Sequence, residues 1–160
     1  MPTRRGYLSG AAAACPPGQA GTCVYAVGGY AGGFLGVVES YNPATNAWSP
    51  AASLPTARSS AATTATTCPP GQSGTCIYTV GGGNIVNGPP LGTVQSYNPV
   101  SNLWTELPPL PTPRFGLAAA AMACPVGVAG NCVYASGGWT GIGDVRATLE
   151  ALDPPAPSTL

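Results

Sequence analysis

The sequence predicts an all-β chain made of three repeated, four-stranded antiparallel sheets, and three observations carry that reading. Hydrophobic residues are 44% of the 160 residues and charged residues only 6%, against about 25% in an average soluble domain, so the chain is set to bury surface. Gly (23) and Pro (19) reach a level that signals disorder in an aperiodic sequence, yet here they return at fixed places. The six cysteines fall into three pairs of identical spacing.

The repeat is explicit around those pairs. CPPGQAGTCVYAVGG starts at Cys15, CPPGQSGTCIYTVGG at Cys68 and CPVGVAGNCVYASGG at Cys124, a period near 50 residues that marks a repeat architecture. Upstream, Leu54-Pro55-Thr56-Ala57-Arg58 matches Leu110-Pro111-Thr112-Pro113-Arg114, and Met1 to Arg5 matches both. Downstream, Val38-Glu39-Ser40-Tyr41-Asn42-Pro43 matches Val94-Gln95-Ser96-Tyr97-Asn98-Pro99, with a degraded copy from Leu149 to Pro154. Trp48 and Trp104 follow their tyrosines at the same distance, and the third unit has Thr159 there. The units are read as 1–54, 55–110 and 111–160, the last incomplete.

Within a unit the strands follow in order. Ser59 to Thr67 is made of Ala, Ser and Thr, small enough for a crowded innermost strand. Cys76 to Val80 is β-branched and aromatic, Thr93 to Tyr97 alternates, and Leu103 to Leu107 alternates around Trp104, as half-buried strands do. Gly-Gly closes the second strand and allows a close approach by neighbouring backbone. Asn-Pro-x-x-Asn joins the third strand to the fourth as a turn in which Asn takes the left-handed conformation. Tyr41, Tyr97, Trp48 and Trp104 are read as core.

The combination of Arg, Tyr-x-Val-Gly-Gly, Val-Glu-x-Tyr-Asn-Pro-x-Thr-Asn-x-Trp and Leu-Pro resembles the kelch repeat over essentially the whole chain. The resemblance implies that each unit is one blade of a β-propeller, so that the chain is three blades of a partial propeller. Two departures stand out: the cysteine-bracketed insert is foreign to the general pattern, and the third unit has lost its Tyr and Trp. Propellers close with 4 to 8 blades. Three blades therefore imply a segment of a longer six- or seven-bladed protein, with two alternatives: two copies pairing into one ring, or an open arc with apolar ends.

Each cysteine pair, Cys15 with Cys23, Cys68 with Cys76 and Cys124 with Cys132, is expected to form a disulfide closing the hairpin between the first two strands, provided the two residues sit opposite one another. Reduced thiols are the rival reading. A zinc site fits poorly, since thiolate ligands are usually two to four residues apart and the chain has no His. Disulfides imply an extracellular or otherwise oxidising compartment. The basic start and short Ala-rich run before Cys15 imitate a signal peptide, but every position aligns with the internal units, so the segment is read as part of the first unit and any export signal is expected upstream.

Antiparallel topology puts the cysteine loops and Asn-Pro turns on one face. The Pro-Thr-x-Arg connections and the loops after Gly-Gly fall on the other, and the latter differ between units, from Tyr30 to Gly36, Gly83 to Gly92 and Trp139 to Arg146. Variable loops on a repeated frame are where recognition usually occurs. The candidate ligand contacts are Tyr30, Phe34, Asn84, Asn87, Trp139 and Asp144, with Arg58 and Arg114 nearby; for the arginines, linking blades or satisfying carbonyls outweighs meeting a ligand.

A net charge of zero with five Arg and no Lys lacks the electrostatic footprint of a nucleic-acid binder, and no apolar run reaches the roughly 20 residues of a membrane span. Without His, and with Glu39, Glu150 and Asp144 scattered, no catalytic set, metal site or cofactor is expected. The reading is a non-catalytic binding or scaffold module for a protein or carbohydrate. Its alternative is a piece of a larger secreted propeller enzyme, similar to galactose oxidase or a sialate mutarotase, without activity of its own; a purely structural fragment is the third class.

Overall fold

The computed structural model describes residues 1–141 and 143–152, and it is all-β, without a helix among those residues. The first unit folds as β1 (Ser9–Ala14), β2 (Thr22–Val27), β3 (Val38–Asn42) and β4 (Ala47–Ala51), an antiparallel sheet in sequence order. The second repeats it as β5 (Ala62–Thr67), β6 (Thr75–Val80), β7 (Val94–Asn98) and β8 (Leu103–Leu107). The third contains β9 (Ala118–Ala123), β10 (Asn131–Ser136) and β13 (Leu149–Leu152), with a small hairpin of β11 (Trp139–Gly141) and β12 (Asp144–Val145) in its variable loop. That hairpin was not expected from the sequence; Thr159, which aligns with Trp48 and Trp104, lies outside the described residues.

The innermost strands β1, β5 and β9 lie side by side. Their Ala, Ser and Thr side chains permit this spacing, and they are stitched by Ser60 N–H donating to the Tyr7 carbonyl at 2.9 Å and Gly116 N–H to the Ser60 carbonyl at 2.8 Å. Ser9 and Thr63 also share a short hydroxyl hydrogen bond across the first two sheets. The cores lie between sheets rather than within them. One gathers Cys23, Tyr25, Val27 and Val38 of the first sheet with Ile77 and Tyr97 of the second; the other gathers Tyr78, Val80, Val94 and Leu110 with Val133 and Ala135 of the third.

Tyr97 is fully buried in the first seam. Tyr41, Trp48 and Trp104, expected in the core, are only half-buried: Trp104 packs against the edge of the first core, and Tyr41 and Trp48 hold the same positions on the first sheet, where no other sheet of the described residues covers them. Asn46 and Asn102 adopt φ of 52° and 57°, the left-handed turn expected after Asn-Pro, and Asn42 and Asn98 each accept an N–H from two residues on, from Ala44 and Val100 at 2.9 Å.

All three disulfides are present, Cys15–Cys23, Cys68–Cys76 and Cys124–Cys132, with Cα atoms 4.7 to 4.8 Å apart. The partners are not directly opposite, however. Cys23 lies across from Ala13, and Cys15 curls back from just beyond β1, its N–H donating to the Gly21 carbonyl at 3.0 Å.

Candidate functional site

The loop face is built from the arginine connections outward. Arg58 is 1% exposed and Arg114 fully buried. The Arg58 N–H donates to the Leu35 carbonyl and its carbonyl accepts from Gly29, both in the first unit. Its guanidinium turns into the second unit, donating to the carbonyls of Gly81 at 3.0 Å and Thr93 at 3.3 Å and to Gln95 Oε1 at 2.9 Å. Arg114 repeats the pattern one unit on, reaching Gly137, Thr148 and Glu150. Both are inter-blade rivets with their donors turned inward, away from the variable loops. Burial lowers the Arg58 pKa to about 10, with the attraction of Glu106 opposing the shift.

The paired glycines exist for this junction. A Cβ on Gly28 would lie 2.6 Å from the Arg58 carbonyl oxygen and one on Gly81 2.4 Å from that of Arg114, distances no side chain tolerates. Arg5 makes the corresponding contact in the first unit, with an ion pair to Glu39 at 2.7 Å. Burial alone would raise the Glu39 pKa, but hydrogen bonds from Arg5 and Thr3 outweigh it and hold the carboxyl below its ordinary value.

Above these rivets the loops form an open concavity of about 490 Å³. Tyr30 and Phe34 meet edge to face, with ring centroids 5.4 Å apart, and both line it together with Asn87. Tyr30 is held by exchanged backbone hydrogen bonds with Gly6, at 2.8 and 3.0 Å. Asn84 is half-buried beside the cavity, Trp139 packs 40% exposed near Gly116, and neither is part of its wall. Asp144 lies apart on the third loop, exposed and paired with Arg146 at 2.9 Å.

Among the lining residues that were not sequence candidates, four carry large apolar or aromatic side chains: Tyr7, Ile85, Val86 and Phe115, of which Ile85 and Val86 lie in the variable loop from Gly83 to Gly92. Tyr7, Ile85 and Val86 are 73%, 60% and 68% exposed. A signal existed for Tyr7, which stands in the repeat where the other units have Ser60 and Gly116, all three at positive φ; an aromatic in place of a small turn residue is an unforced exposure. The described wall contains no formally charged side chain at neutral pH. Among the described residues no three His, Cys, Asp or Glu side chains come together.

A larger cavity, about 920 Å³, lies on the cysteine-loop side between the second and third sheets, walled by Pro69, Pro70, Pro108, Pro109 and Pro111. Leu152 stands in the register position that Tyr97 holds one seam earlier.

Residues 11–55 and 66–111 match the Kelch motif family. The chain is 36% identical over 122 residues to Kelch-like ECH-associated protein 1A of Danio rerio, covering 72% of this chain and 17% of that protein. It is 37% identical over 78 residues to Kelch-like protein 33 of Homo sapiens, covering 49% of this chain and 13% of that one. The chain thus spans less than a fifth of the length of these curated relatives. Among solved structures it is similar in fold to the chain in "Structure of YjhT", with TM-score 0.58 and 22% identity over 88% of this chain and 36% of the other.

Proposed function

This chain belongs to the kelch family, and from that premise we propose that it is a non-catalytic recognition module that binds the apolar, uncharged part of a protein partner in the loop-face concavity. The observation that carries the reading is the character of that wall. Tyr7, Ile85 and Val86 are left in solvent around the Tyr30–Phe34 pair with no ion among them. Exposed apolar side chains grouped in a concavity favour a binding site over plain surface. The buried arginines support an uncharged ligand, since their donors are spent on carbonyls and on Gln95 and Glu150. A relative named for association with another protein supports a protein over a carbohydrate. The three disulfides fit an extracellular or other oxidising compartment.

The test is selection of peptides from a random library, and in parallel of glycans from an array, on the intact oxidised chain. Peptides carrying apolar or aromatic residues are expected, with affinity changing less than twofold between 50 and 500 mM salt. Phe34→Ala is expected to weaken the selected peptide about tenfold, the loss of ~1.4 kcal/mol of aromatic burial. Selection of acidic peptides with steep salt dependence, or of glycans alone, contradicts the reading.

A further inference from the structure

The three variable loops start from the same backbone bridge, and only the middle bridge carries no ring. The residue after each Gly-Gly exchanges two backbone hydrogen bonds with the residue after the arginine of its own unit. Tyr30 pairs with Gly6 at 2.8 and 3.0 Å, Gly83 with Ser59 at 2.9 Å both ways, and Trp139 with Phe115 at 2.9 and 3.1 Å. The first bridge therefore holds one aromatic side chain and the third holds two. The second holds none, and the loop-face concavity opens there: Gly83, Ser59 and Ser60 line it, between Tyr7 and Tyr30 of the first unit and Phe115 of the third.

The backbone does not require this gap. Gly81 and Gly82 adopt φ of 64° and 101°, and a Cβ on either would lie under 3 Å from a carbonyl oxygen, of Arg114 and Ser59 respectively. Gly83 differs from both. Its φ lies outside the left-handed region and a Cβ there would meet no atom within 4 Å, so the freedom of glycine is not needed at this position. The same bridge carries Tyr or Trp at the place of Gly83 and Phe at the place of Ser59 in the other units. The small pair thus serves the opening above it rather than the sheet below.

We propose, on the basis of the recognition reading above, that the gap over Gly83 and Ser59 takes one aromatic side chain of the protein partner, which supplies the ring that the middle bridge lacks. A ring is favoured over an aliphatic side chain by what surrounds the gap. Tyr7, Tyr30 and Phe115 offer ring faces and edges, and the edge-to-face contact of Tyr30 with Phe34, centroids 5.4 Å apart, shows that arrangement already in use. Ring pairs of this kind add attraction beyond the burial of area. The hydroxyls of Ser59 and Ser60, half-buried beside the gap, can meet the polar edge of a tyrosine or tryptophan, whereas an aliphatic group would take them from water without a partner.

The experiment takes the peptides selected on the intact oxidised chain and measures their affinity by titration calorimetry. Replacing the aromatic residue of a selected peptide by Leu is expected to weaken it about tenfold, the reach of ring contacts beyond plain burial. Gly83→Tyr, which copies Tyr30 and fills the gap from within, is expected to weaken the same peptide by about tenfold or more, while the melting temperature of the free chain stays within about 2 °C. Ser59→Phe, which copies Phe115 on the other side of the bridge, is the second variant and is expected to act alike. Peptides that bind both variants undiminished, that tolerate Leu for their aromatic residue, or that contain no aromatic residue overturn the ring insertion and leave the recognition reading standing. Failure of both variants to fold overturns it too, since the backbone would then need the small pair. If no peptide is selected at all, the recognition reading falls and the insertion with it.

Discussion

Arg58 shows how much one side chain holds in this fold. It ties the backbone of one blade to the carbonyls of the next, so Arg58→Met strips donors from Gly81, Thr93 and Gln95 at once. The expected cost is about 3 kcal/mol or more, read by denaturant unfolding; a loss under 1 kcal/mol contradicts the rivet role. Glu39 gives a pH test of the same contact. Its folded pKa is lowered, so its contribution is present above the unfolded value of about 4.3 and is lost as pH falls through the folded one. Glu39→Gln, which copies Gln95 of the second unit, should flatten that acid limb. Tyr78 and Tyr97 act with the opposite sign: burial pushes both up to about 12, so stability is expected to fall between about pH 10 and 12. The recurrence of the arginines already favoured blade linking and carbonyl satisfaction over ligand contact, as found; what it did not show was which side chains they meet. The partner position, filled by Glu39, Gln95 and Glu150, recurs beside the tyrosines and could have exposed the pairing.

At the scale of the element, the disulfide hairpin is the chain's own addition to the family pattern. Opening Cys68–Cys76 by a double Cys→Ala change removes a nine-residue closed loop, worth ~2.6 kcal/mol in the chain-entropy model; Cys76 is also fully buried, so lost packing adds to the cost. Intact mass after alkylation counts the remaining disulfides, non-reducing peptide mapping verifies their pairing, and calorimetry reads the stability. The strands of the second unit were legible because alternation and turn residues agree there, as the match between Leu103–Leu107 and the alternation around Trp104 shows. The small hairpin β11–β12 was not legible, since a Trp-Thr-Gly segment facing Asp-Val carries no period. The concavity was half legible: Tyr30, Phe34 and Asn87 stood in loops already suspect, whereas Tyr7 sits on the short passage from Arg5 into β1, which reads as a connection until the backbone places it beside Tyr30.

The whole molecule is a stack of seams, and its unusual composition follows from that. With cores between sheets, charge has few places to sit, and the few charged groups that are buried, such as Arg5 with Glu39, link strands rather than face water. The seams differ in quality: the first is filled by Tyr25, Ile77 and Tyr97, the second keeps the larger cavity. Unfolding is therefore expected to begin at the third sheet, with amides of β9 and β10 exchanging faster than those of β2 and β6; equal protection throughout contradicts that order. The loop face stays apart from both seams, and the measurement that bears on it most directly is an amide chemical-shift map of the intact chain titrated with a selected apolar peptide. Expected are shifts gathered at Tyr7, Tyr30, Phe34, Ile85 to Gly88 and Phe115; shifts confined to the cysteine loops or to the proline-walled seam would contradict a recognition site on the loop face.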